Sequence, residues 1–223
     1  MKKLTIGLSL LVTASVFAAT KSVKVIYGED NRVDVYDSSN SMYVELAKST
    51  AAMVNKYSLS EDGSGNTELK GGSLQDRGMC ATERFAHQST VASCSGFLVG
   101  EDLLVTAGHC IKSESDCEKY RWVFDYKVEN EVQAKVSVPT TNVYNCKKVI
   151  NRILDNNIMN DFALIQLERK VLDRRVLTYR KSGKIKTGQK LVVIGHPSGL
   201  PSKIADGASV RKLKKNYFSA DLD

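Results

Sequence analysis

CSGFLVGEDLLVTAGHC, residues 94 to 110, holds two apolar runs on either side of a Gly-Glu-Asp turn and closes on a histidine between glycine and cysteine. The runs are short and rich in Leu, Val and Phe, as in a hairpin of antiparallel strands. Cys94 and Cys110 stand sixteen positions apart and bracket the unit. A disulfide between them would staple its two ends, worth roughly 3 kcal/mol in the loop-entropy description. It would also fix His109 at the end of the second strand. An imidazole titrates near neutral pH and can relay a proton, provided its other ring nitrogen is held by an acceptor. The stretch MNDFALIQLE supplies one, because Asp161 stands where an apolar strand begins, ahead of Phe162, Leu164 and Leu167. A structural role for either residue, a satisfied histidine beside a cysteine or a strand-capping aspartate, also fits the residues taken singly.

Working outward, the candidate strands are CSGFLV, LLVTA, YRWVFDYKV, VQAKVSV, KKVINRIL, DFALIQL, KLVVIGH, ASVRKL and YFSADL. They are closely spaced and separated by Gly, Asn and Asp, which predicts antiparallel all-β barrels and not a parallel sheet with crossover helices. Upstream, Met42, Leu46, Met53 and Val54 fall near helical spacing, so SMYVELAKSTAAMVNKY is expected to be an amphipathic helix. Leu59 to Gly78 is rich in Gly, Ser and charge and reads as a linker.

The first residues carry a targeting signature. Lys2 and Lys3 precede an apolar run from Leu4 to Phe17, with small residues in Val16-Phe17-Ala18. The run is shorter than the ~20 residues that span a bilayer, so residues 1–18 are expected to be a signal peptide and the protein secreted or periplasmic, without a stable membrane anchor. Export puts the five cysteines in an oxidising compartment; the pairing of Cys80, Cys117 and Cys146 stays open, and five is odd. Charge is uneven: Arg169 to Lys215 carries 14 Lys/Arg against 2 Asp/Glu, whereas Ala19 to Glu168 carries 16 against 21. No aromatics interleave with the basic block to stack on bases, so a nucleic-acid partner is not expected. A basic surface for an anionic polymer or membrane remains a separate reading.

The combination of TAGHC, a cysteine sixteen residues before its own, and Asp-Phe-Ala-Leu-Ile resembles the chymotrypsin-like (trypsin-fold) serine endopeptidases. VVIGHPSGLP, Val192 to Pro201, resembles the bacterial V8-like, glutamyl-endopeptidase branch. The resemblance implies a chymotrypsin-like double antiparallel β-barrel, with His109 as general base and Asp161 as its orienting carboxylate. It also implies protein or peptide substrates and a zymogen, and the protein is expected to be a monomer. On that basis residues 19–78 are expected to be a pro-segment and linker cleaved near Lys70 or Arg77, residues 79–170 the first barrel, and residues 171–223 an incomplete second barrel. No motif calls for a metal or organic cofactor. His87 is expected at the surface and His196 in a turn.

The family's nucleophile is a serine in a Gly-x-Ser-Gly turn, and no such turn follows Asp161. Ser182, Ser198 and Ser219 each lack the glycine two positions before. In the V8-like branch a strand resembling YFSADLD runs into the loop that carries this serine, so the expectation is a chain cut just short of it and inert alone. The alternative is a non-catalytic, protease-fold binding protein.

Overall fold

The computed structural model describes residues 30–222; the expected signal peptide, residues 1–18, lies outside them. In chain order the described strands are β1 (Arg32–Asp34), β2 (Thr50–Asn55), β3 (Leu59–Glu61), β4 (Asn66–Leu69), β5 (Ala92–Gly100), β6 (Leu103–Thr106), β7 (Tyr120–Phe124), β8 (Val136–Pro139), β9 (Val143–Asp155), β10 (Asn160–Leu167), β11 (Lys190–Gly195), β12 (Lys203–Leu213) and β13 (Phe218–Ala220). Two short α-helices, α1 (Ser41–Ala47) and α2 (Glu114–Lys119), and five single turns of 3-10 helix complete the regular structure of the described residues. Six strands close a barrel in the order β10, β6, β5, β2, β7, β9. A second, open sheet runs β1, β12, β11, with β13 on β12, and a third joins β3, β4 and β8.

The barrel interior is filled by Ala51, Met53, Leu98, Leu104, Trp122, Phe124, Ala163, Ile165 and their neighbours. Alternation along β2 sends Ala52 and Val54 the other way, into a second cluster with Leu69, Val123, Tyr126, Val136 and Val138 beneath the β3–β4–β8 sheet. β2 is therefore apolar on both faces, and this explains a correction. The spacing of Met42, Leu46, Met53 and Val54 predicts one long helix, but only Ser41–Ala47 is helical, started by the Asn40 side chain accepting from the Met42 and Tyr43 amides. A strand buried on both sides carries no period of two to distinguish it.

The linker expected over Leu59 to Gly78 is also corrected, because its first half is the β3–β4 hairpin. The Asp62 carboxylate accepts the amides of Ser64 and Asn66 in the turn, and Gly63 and Gly65 take positive φ there. The turn-rich composition marks a tight turn between strands. The boundary expected at residue 78 falls among segments that pair with one another. β2 is a stave of the closed barrel and β1 pairs with β12, Asp34 opposite Lys203, so residues 32–69 are built into both bodies. A pro-segment ending at Lys70 or Arg77 would take a strand out of a closed barrel and leave unpaired edges.

α2, which the sequence reading passes over, is tied to β9 by a Cys117–Cys146 disulfide. Cys80 is exposed with a free thiol. Among the described residues, no helix is long and apolar enough to cross a membrane.

Candidate active site

Beyond β6 the chain turns through Ala107 and Gly108 to His109. Only glycine fits at 108: a Cβ there would overlap the Ile153 carbonyl oxygen of β9 and crowd that of Phe162 in β10. The turn is thus pressed between the strands that carry the acidic partner. Cys110 is joined to Cys94 of β5, anchoring the residue that follows the histidine to the neighbouring strand.

Asp161, second residue of β10, meets this turn with both carboxylate oxygens. Oδ1 accepts the backbone N–H of His109 at 2.9 Å, and Oδ2 lies 2.6 Å from its Nδ1. Partial desolvation pushes the Asp161 carboxyl upward. Hydrogen bonds from the His109 ring, from its backbone amide and from that of Gly108 outweigh this, and hold the group below the ordinary value of 3.8. An ionised Asp161 can only accept, so Nδ1 carries a proton, and in the neutral imidazole Nε2 then presents a lone pair. Nε2 makes no hydrogen bond among the described residues, and the ring is 59% exposed. The pair can therefore take a proton from a hydroxyl brought to Nε2 and stabilise the imidazolium that results.

Beside the pair, a cleft of about 360 Å³ is lined by Gly96, Phe97, Thr106, Asp161, Phe162 and Ile194, between the barrel and β11 of the second sheet. A more enclosed cavity of about 430 Å³, walled by Asp125, Tyr126, Arg174 and Ser202, contains neither residue of the pair. The sulfurs of Cys94 and Cys110 lie close to the His109 ring, but a disulfide offers no thiolate to a metal.

The remaining sequence candidates lie elsewhere. His87 is exposed, its Nε2 2.9 Å from the Glu131 carbonyl oxygen. His196 precedes a single turn of 3-10 helix, as a turn residue should, but it is buried: Nδ1 donates to the Leu200 carbonyl at 3.1 Å and the ring stacks on Tyr126. Ser198 sits at positive φ in that turn, Ser219 lies in β13, and no serine hydroxyl bonds to His109 among the described residues. Sequence reasoning missed two charged groupings, of which only the second lies at the site. One is a buried cluster of Asp34, Gln88 and Lys203; the other is Arg152, whose Nε bonds to the Gly108 carbonyl. An aspartate and a lysine 169 residues apart give no local signal, and an arginine in a strand reads as a solvated face.

An all-β chain with a closed six-stranded barrel, an open second sheet and a cleft between them has the chymotrypsin-like fold. The chain belongs to the trypsin-like peptidase domain family, whose model matches residues 94–222. Among solved structures, similar chains include a mutant of human heparin binding protein, at 14% identity over 78% of this chain and 66% of that one, TM-score 0.47. Another is the VesB protease of Vibrio cholerae, at 15% identity over 81% of this chain and 44% of that one, TM-score 0.48. This chain spans less than two thirds of the length of either structure. No match was found among curated proteins.

Proposed function

We propose that this chain carries the base half of an exported serine-type endopeptidase of the V8-like branch. His109 is the general base and Asp161 its orienting carboxylate. The observation that carries the reading is the two-point grip of Asp161 on His109, through the ring Nδ1 and the backbone amide. One bond would fix the tautomer; the second also fixes where the ring starts. Nε2 would remove the proton of a serine hydroxyl as that oxygen attacks the scissile carbonyl, then return it to the leaving amine. Family membership supports protein or peptide substrates, and two disulfides suit an oxidising, extracytoplasmic compartment. On this reading the hydroxyl comes from sequence following residue 223, and residues 1–223 alone do not hydrolyse peptides.

The test is to express the coding sequence continued past codon 223 and treat the product with a serine-reactive fluorophosphonate and a peptide library. Labelling and cleavage are expected, with His109→Ala lowering kcat by a factor on the order of 10⁶. Labelling and cleavage that survive His109→Ala would overturn the reading. A continued second barrel without a serine would instead support a non-catalytic binding protein.

A further inference from the structure

Besides Asp161, a second charged side chain reaches the segment that carries the imidazole. Arg152 of β9 stands directly opposite Ala163 of β10, and Ala163 stands opposite Thr106 of β6. Opposed residues in antiparallel strands share a face, so the three form a row across three strands. Ala163 is fully buried and Thr106 nearly so. At the centre of that row the side chain is a single methyl, which leaves room for the arginine to cross. Its Nε donates to the Gly108 carbonyl oxygen at 2.7 Å.

That carbonyl and the His109 amide belong to one peptide unit. In a trans peptide the C=O and N–H point in opposite directions. Here the oxygen is held by Arg152 and the N–H by Asp161 Oδ1. Two partners on opposite sides fix the rotation of the plane, and the plane sets the direction in which the His109 side chain leaves the backbone. Gly108 is buried, so without Arg152 its carbonyl would lose its partner in a place water does not readily fill. The terminal nitrogens of Arg152 make no other hydrogen bond among the described residues, so no ion pair accounts for its placement.

We infer that Arg152 is a positioning residue for His109, acting through the Gly108–His109 peptide and not by contact with substrate. Its catalytic meaning rests on the proposed role of His109, but the positioning can be read without turnover. The experiment uses the 223-residue chain, labelled with ¹⁵N, as parent, Arg152→Met and Arg152→Lys. Methionine keeps much of the apolar stem and loses the donor; lysine keeps a donor without the fixed Nε geometry. The readouts are the His109 Nδ1–H resonance and hydrogen exchange at the His109 amide, with the buried Nδ1–H of His196 as internal reference.

In Arg152→Met the His109 ring proton should broaden into exchange with water, and its amide should exchange roughly tenfold faster or more. The His196 signal should be unchanged, and Arg152→Lys should fall between. His109 signals identical to the parent would overturn the inference. So would His109 and His196 signals lost together, which would mean general loosening. If the NMR effect is present and a chain continued past residue 223 shows no hydrolysis, the positioning stands and the proposed activity falls.

Discussion

The Lys203 ammonium and the Asp34 carboxylate face each other across the β1–β12 pairing, 2.5 Å apart and both buried. Lys203 donates also to Gln88 Oε1 at 2.6 Å and to the Pro201 carbonyl at 3.1 Å, while Gln88 Nε2 donates to the second oxygen of Asp34 at 2.9 Å. All three ammonium protons and both carboxylate oxygens are thereby used. Burial still pulls the ammonium down to about 8 against the pull of Asp34. The cluster ties the first strand, the loop carrying Gln88 and the second sheet into one node. Asp34→Asn keeps the shape but leaves a buried cation uncompensated, and should cost about 3–5 kcal/mol in urea unfolding. The double variant Asp34→Asn with Lys203→Met should recover much of that loss; a double variant no more stable than the single one would count against the pairing.

His196 sets a limit on the acid side. Burial lowers its imidazole to about 4, helped by the nearby Lys203 charge and opposed by the hydrogen bond to Leu200. Tyr126, the other titratable group packed against it, is pushed up to about 12 by burial and stays neutral. With Nδ1–H already on the Leu200 carbonyl, Nε2 is buried without a partner among the described residues, so protonation would add a donor with no acceptor there. A folded value below the unfolded 6.5 means stability that is complete above pH 6.5 and is lost as pH falls toward 4, on the order of 3 kcal/mol in all. Melting temperature from pH 7 to 4 should fall more steeply for the parent than for His196→Gln. Equal slopes would show that the histidine does not contribute.

The barrel was legible where one face of a strand is buried and the other is not, as in LLVTA and DFALIQL, and where a turn had Gly or Asp to mark it. His109 and Asp161 were legible because each is fixed by its own local sequence, a cysteine on one side and a strand start on the other. β2 was not legible, since Ala51 to Val54 feed two cores at once and a fully apolar strand has no period of its own. The β3–β4 hairpin was hidden by the composition of its turn. The tie of β1 to the second sheet was hidden for a topological reason: β1 pairs with β12, and a pairing between residues about 170 positions apart leaves nothing to read at either end.

The Cys94–Cys110 bridge should matter to the fold and to the histidine separately. Replacing both cysteines by serine frees a sixteen-residue separation and should cost roughly 3 kcal/mol in urea unfolding. The His109 Nδ1–H resonance should also broaden, because the residue after it is no longer held to β5. A variant that loses stability but keeps a sharp His109 proton would show that Asp161 and Arg152 suffice to hold the ring.

Asp161→Asn separates orientation from charge. The asparagine can keep the shape of the contact, but its amide nitrogen can donate to Nδ1. That would shift the ring proton to Nε2 and remove the lone pair the proposed chemistry needs. The imidazole ¹⁵N shifts of His109 should therefore exchange their protonated and unprotonated assignments between parent and variant at neutral pH. In a chain continued through a nucleophilic serine, kcat should fall by roughly 10⁴, by analogy with the serine-protease triad. The Asp161 carboxylate should keep its hold on the Nδ1–H into mild acid. Asp161 titrates below 3.8, so its grip on the ring is complete above that value and is lost only as pH falls through the lower folded one. Unchanged ¹⁵N shifts in the variant would show that the carboxylate does not set the tautomer, and the assignment of His109 as general base would lose its physical ground.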